Sequence, residues 1–405
     1  MARGPRAAVG AAAVGLTATL LCLPGTAHAE DGAWCDPGVQ VDTPLVAHTK
    51  EKKNPAHERM HVAEAQKVAT GRGVTVAVID SEVRPGVAAS KGLWRAPGIG
   101  MPQTGHGTIA AGLIAGPQGV APGASIYSVA VYDATTDDAS EGTPVSAFGI
   151  ADGIRHVLSQ ADRLDIGVVN ISLSVSKSTP QLESAVRDLV ARDIVVVASA
   201  GNADPDRASN FKGTDNSDAN VYPADYPGVL AVSANVPEGA DLRDYVLPNR
   251  DTDVTAPTYG ALSVNLNAQK CVMSEVATSW SAAEVSGVVA LLREKFPREN
   301  AAQISSRLMA TAEGSGLVDE QGNPENNWSG AGSVQAYDAL TRAISPGREG
   351  KIDRSERQLS ADATAPPAPV QVDLLGPARL RLLWAGLLGG TILALAFILR
   401  PLLRR

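Results

Sequence analysis

The stretch VATSWSAAEVSGVVALL, Val276 to Leu292, sets a serine at the mouth of a long apolar run of small residues. From Ser281 to Leu292 the chain carries mostly Ala, Val, Gly and Leu and almost no charge, which predicts a helix buried on every side. Thr278 is the expected N-cap of that helix. On its first turn, Ser279 would lie at the positive end of the helix dipole, where a nearby alkoxide or oxyanion is stabilised. A structural serine fits the same place, so its chemistry depends on what the rest of the chain brings to it.

Upstream, strand and helix patterns alternate. GRGVTVAVID, Gly71 to Asp80, reads as a glycine turn feeding a buried strand that ends on an acid. Strands follow at Ser125 to Tyr132, Ile166 to Ser174, Ile194 to Ala198 and Gly228 to Ala234, with a partly irregular one at Asp253 to Ala256 and a short run near Ala261. Helices are predicted at Val62 to Thr70, Gly105 to Gly116, Ser146 to Ala161, Thr179 to Ala191 and Asn300 to Ala312, with a closing segment around Tyr337. This order predicts an α/β fold with a mainly parallel sheet between two layers of helices.

The ends of the chain read as addresses. Arg3 and Arg6, an apolar run through Ala11 to Leu23 and the small-residue site Ala27-His28-Ala29 make residues 1–29 a secretory signal. Cys22 would leave with it, and Cys35 and Cys271 remain; export favours a bond between them over two free thiols. At the other end, Leu382 to Leu399 is an uncharged apolar run of 18 residues, about 27 Å long as a helix and just enough to cross a bilayer. Arg400, Arg404 and Arg405 after it favour a cytoplasmic tail and an extracytoplasmic body. The expected organisation is a signal (1–29), an N-terminal extension (30–61), a folded domain (62–345), a Pro/Ala-rich linker (346–377), a single membrane helix (378–400) and a basic tail (401–405). A formal charge of -8 argues against a nucleic-acid partner. No metal-ligand spacing, phosphate loop or dinucleotide fingerprint stands out, so no metal and no cofactor are expected.

Four residues stand at element ends that such a sheet brings to one rim. Asp80 closes the first strand, where open α/β sheets build their sites; capping the next turn is its ordinary alternative. His106, alone of the six histidines, sits in a glycine-flanked apolar context, GHGTIAAGLIAG; a core histidine bonded to a carbonyl would look the same. Asn202 ends ASAGN after another strand and can donate to an oxyanion or simply shape a turn. With Ser279 they supply an orienting carboxylate, a base, an oxyanion donor and a nucleophile.

The blocks VAVID (Val76 to Asp80), GHGT (Gly105 to Thr108), NISLS (Asn170 to Ser174), ASAGN (Ala198 to Asn202) and ATSWSAAEVSG (Ala277 to Gly287) occur in order over most of the body. Together they resemble the motif blocks of the subtilisin-like serine proteases. Signal, short extension, proline-rich linker, membrane helix and arginine tail further resemble the mycosin type associated with type VII secretion. The resemblance implies a three-layer subtilisin-like fold plus a C-terminal transmembrane helix. It implies peptide-bond hydrolysis through an acyl-enzyme on Ser279, with His106 moving the proton, Asp80 orienting His106, and Asn202 with the Ser279 N–H holding the oxyanion. Ser172, Leu173, Ser174 and Gly201 would then bind substrate. A protein or peptide substrate, a cell-membrane location and a type VII secretion complex follow as implied partners and place. The extension is shorter than the folding propeptide of secreted subtilisins, in keeping with the mycosin type.

The chain departs from the family at four points. Glu82 and Ala277 replace glycines, Ala283 replaces a proline, and Trp280 fills a position usually held by a less bulky residue. A charge beside the triad and an extra methyl before Thr278 leave room for a second reading, a subtilase scaffold of weak activity that braces a membrane complex. An esterase using the same serine is a third.

Overall fold

The computed structural model describes residues 33–45, 53–134, 142–203, 211, 218–314, 327–352 and 376–400. The expected signal (1–29), basic tail (401–405) and most of the linker lie outside them. The chain divides into two compact units after Ile352.

In the first unit, helices α1 (Pro55–Arg59) and α2 (Val62–Ala65) precede strand β1 (Thr75–Asp80) and strand β2 (Ala89–Arg95). Helix α3 (His106–Ala115), β3 (Ser125–Ala130), α4 (Ala147–Leu164), β4 (Ile166–Ile171), α5 (Pro180–Ala191), β5 (Val195–Ser199), β6 (Val229–Asn235) and β7 (Thr252–Pro257) follow. A hairpin of β8 (Leu262–Val264) and β9 (Lys270–Val272) leads to α6 (Thr278–Lys295), α7 (Ala301–Thr311) and α8 (Ala336–Thr341).

The sheet order is β2-β3-β1-β4-β5-β6-β7, and every neighbouring pair is parallel. Alternate residues of β1 feed two cores: Val76 and Val78 pack with α3 and α6, while Ala77 and Ile79 pack with α4 and α5. That makes three layers. Buried on both faces, the central strands are unbroken apolar runs. Helix α6 is the axis of one helical layer, with every residue from Thr278 to Leu292 buried. Each Leu or Val it hides contributes roughly 1.5–3 kcal/mol, far more than capping could. Thr278 is not the cap expected of it: Ala277 holds that place without a side-chain bond, because the Thr278 hydroxyl is used elsewhere.

The segment before the domain is fastened to it. Cys35 and Cys271 are joined, with Cα atoms 4.8 Å apart, and the Cys35 N–H donates to Val272. Helix α1, capped by Asn54 and led by Pro55, buries Ala56, and Met60 just beyond it is buried too. His57 reaches the wholly buried Glu284 of α6, Nε2 to Oε2 3.1 Å. Beyond α8, Pro346 and Arg348 give their carbonyls to Gln303 and Asn300 at the start of α7.

In the second unit, Gly376–Leu399 forms a 24-residue helix, α9. The expected membrane run coincides with it, although side chains of part of the helix lie outside those described. Among the described residues, no helix is long and apolar enough to cross a membrane.

Candidate active site

Asp80 is the last residue of β1, wholly buried, and His106 is the first of α3. His106 Nδ1 lies 2.8 Å from Asp80 Oδ1 and 2.9 Å from Oδ2. A carboxylate only accepts, so the neutral imidazole carries its proton on Nδ1 and presents Nε2 as a base. Asp80 Oδ1 also accepts from the Ser81 N–H at 2.7 Å and from the Tyr132 hydroxyl at 3.2 Å. Burial beside Asp80 pushes the Tyr132 phenol well above its usual range, so it stays a donor. Gly107 lets α3 come this close: a Cβ there would meet the Ser81 carbonyl oxygen at 2.2 Å.

Ser279 stands in the first turn of α6 and is nearly buried, at 7% exposure. Its carbonyl accepts from Ser172 Oγ at 2.7 Å. Ser172 is in turn bonded to Asn170 Nδ2 at 3.0 Å, and Asn170 Oδ1 accepts from Ser286 Oγ on α6 at 2.9 Å. The NIS segment at the end of β4 therefore clamps the nucleophile helix at two points. The next residue, Trp280, lays its ring against His106 with centroids 4.4 Å apart, which puts Ser279 and the base on one rim.

Asn202 lies just past β5, exposed to solvent. Its Oδ1 accepts from the Thr278 N–H at 2.8 Å and the Thr278 hydroxyl at 2.9 Å. Two donors on one side-chain atom identify it as the oxygen and make Nδ2 the donor, on the same edge as the start of α6. Gly201, at φ +106°, needs to be glycine; a Cβ there would sit 2.9 Å from Leu247 Cδ1. Leu173 is buried, and Ser174 bonds Ser199 at 2.9 Å between hydroxyls. The residues expected to bind substrate thus gather at the carboxyl ends of β4 and β5, but the side chain of Ser172 is a brace for Ser279.

Three of the four departures from the motif are accommodated, while the buried Trp280 Nε1 has no hydrogen-bond partner among the described residues. The Glu82 carboxylate is turned to Arg95 on β2, with Oε2 2.6 Å from Nε and 2.5 Å from the terminal nitrogen. Its charge is neutralised by a two-pronged pair. Ala277 has φ -148° and ψ 144°, extended backbone open to any residue, so the methyl adds no strain. Ala283 is wholly buried inside an unbroken α6.

Sequence reasoning missed Tyr132, Arg95, His57 and the clamping roles of Asn170 and Thr278. Tyr132 is the last residue of an expected strand, Ser125 to Tyr132, and Arg95 lies on an edge strand with no apolar alternation, so neither carried a signal of its role. Among the described residues, no group of three or more His, Cys, Asp or Glu side chains could hold a metal ion.

The model of the subtilase family matches residues 71–332, which include all four candidate residues. Mycosin-1 of Mycobacterium tuberculosis is 30% identical over 334 residues, covering 71% of this chain and 72% of that one. M-protease of Shouchella clausii is 32% identical over 292 residues, 67% and 65% of the two chains. Among solved structures, MycP1 from the ESX-1 type VII secretion system is 27% identical with a TM-score of 0.59, covering 78% of this chain and 91% of that one. A chain of the periplasmic assembly from the ESX-5 inner membrane complex is 25% identical with a TM-score of 0.57, over 83% and 94%.

Proposed function

The chain belongs to the subtilase family and is a serine endopeptidase, and from that premise we propose a mycosin-type enzyme that works at the outer face of a membrane beside a type VII secretion complex. The observation that carries the chemistry is the buried Asp80 gripping His106 Nδ1 at the mouth of the helix that bears Ser279.

Nε2 of His106 takes the Ser279 proton as Oγ attacks the scissile carbonyl. Asp80 holds the tautomer and stabilises the imidazolium. The oxyanion forms at the start of α6, between the Ser279 N–H and Asn202 Nδ2, where the helix dipole adds to both. His106 then protonates the leaving amine, and water repeats the cycle on the acyl-enzyme. Ser172 and Asn170 keep the nucleophile's turn fixed during this exchange, which preserves the alignment on which the rate depends.

Anchoring rests on the uncharged run Leu382 to Leu399 within α9 and the arginines after it. The secretion partner rests on the likeness to the ESX-1 and ESX-5 chains. The Arg95 pair and the extended backbone at Ala277 support turnover over the alternative of a weakly active scaffold. A serine-directed fluorophosphonate tests the proposal: labelling of the folded ectodomain should vanish in Ser279→Ala and fall sharply in His106→Ala. A folded parent that takes no label overturns it.

A further inference from the structure

Asp80 has three donors around it, and two of them, the Ser81 N–H and His106 Nδ1, come from the motif blocks or the residue beside them. The third, the Tyr132 hydroxyl, comes from the chain just beyond β3, and the backbone explains how it arrives. Asp80 pairs with Ala130 in the β1–β3 ladder, and Val131 N–H donates to the Asp80 carbonyl at 2.9 Å. Tyr132 stands two residues beyond Ala130, just past the carboxyl end of β3, and from there its hydroxyl reaches the carboxylate. Its hydroxyl meets Oδ1, the oxygen that also receives the shorter bond from His106.

We propose that Tyr132 is a positioning residue for the proteolytic reaction, withdrawing charge from Asp80 and thereby setting how strongly Asp80 holds the protonated form of His106. This rests on the triad reading above. A carboxylate shared among three donors offers less electron density to each; removing one strengthens the hold on the imidazolium. Tyr132 is buried at 7% exposure and its phenol is held well above its usual range, so it donates throughout the working pH interval. Other charged groups nearby are already committed: Glu82 is paired with Arg95, and Asp133 accepts the N–H groups of Gly100 and Thr143. Trp280, on the other side of His106, is uncharged.

The test is an NMR titration of the His106 imidazole in the folded chain, which reads the effect whether or not the enzyme turns over. Tyr132→Phe keeps the ring and deletes the donor. The His106 titration should move to higher pH by about half a unit, and the acid limb of kcat/KM should move with it. Site-specific 3-fluorotyrosine at position 132, a stronger donor on the native ring, should move both to lower pH and keeps the test open if the phenylalanine variant folds poorly. A folded Tyr132→Phe with an unmoved titration, or a fluorotyrosine shift upward, overturns the proposal. A parent protein that Ser279-directed reagents fail to label would sink the protease reading instead, and leave the titration result standing.

Discussion

Replacing His57 with alanine should strand the charge of Glu284. Glu284 is wholly buried in the middle of α6, its Oε2 is 3.1 Å from His57 Nε2, and its Oε1 has no hydrogen-bond partner among the described residues. His57 is 13% exposed, so water cannot readily replace it. Breaking a buried pair from one side costs about 3–5 kcal/mol, because the remaining group keeps its desolvation and loses its partner. Against a total stability of roughly 5–15 kcal/mol, that leaves the domain near its folding threshold. Urea unfolding of His57→Ala, Glu284→Gln and the double variant supplies the cycle. Glu284→Gln removes the charge at constant shape and should cost about 1 kcal/mol. In that background His57→Ala should cost at least about 2 kcal/mol less than it does in the parent. A cost below about 1 kcal/mol for His57→Ala alone, or equal costs in both backgrounds, would refute the reasoning. The same variants report on the extension: a helix of five residues, α1, would be shown to secure the nucleophile helix through one side chain.

Asn202→Ala should lower kcat by about 10²–10³ with little change in KM, the range known for the oxyanion donor of subtilisin and borrowed from there; steady-state kinetics that move KM alone would argue against the role. Arg95→Ala releases the charge of Glu82, two residues from Asp80, so the acid limb of kcat/KM should rise by about half a unit, an effect salt weakens and Glu82→Gln cancels. Burial pushes Asp253 up from 3.8 to about 7. The folded state therefore binds the extra proton, and the stability it confers, complete below about pH 4, is lost as pH rises through 7. Asp253→Asn should remove that decline, roughly 3 kcal/mol between pH 5 and 8 by urea midpoints, and parallel slopes in parent and variant would count against it.

What the sequence revealed follows from how locally each feature is encoded. The mostly apolar runs of β1, β4, β5 and β6 and the small-residue surface of α6 announce burial on both sides, so the layered sheet could be read directly. Strand β2 escaped because it lies at the sheet edge, exposed along nearly its whole length, and its Ser, Lys, Gly and Arg carry no apolar period. Helix α1 escaped because five residues are too few to show a period, although Asn54-Pro55 is an N-cap signal. Asp80, His106, Asn202 and Ser279 could be picked out as candidates because each stands at or beside an element boundary within a recognisable block. Tyr132 could not be picked out with them, because it meets Asp80 across 52 residues, and Arg95 and His57 reach Glu82 and Glu284 across 13 and 227. The threonine expected to cap α6 shows the same limit: only the fold brings Asn202 close enough to claim its hydroxyl.

The bond between Cys35 and Cys271 joins residues 236 apart in sequence, with Asp80, His106 and Asn202 inside the ring, while Ser279 follows a few residues outside it. For a protease that meets other copies of itself, a single cut inside that ring opens a loop without detaching anything. Both halves stay on one covalent thread, and the parallel sheet still holds them in register. Nicked molecules would therefore run as one species on a non-reducing gel and separate only with a thiol, so wear on this enzyme should go unseen until its one crosslink is reduced.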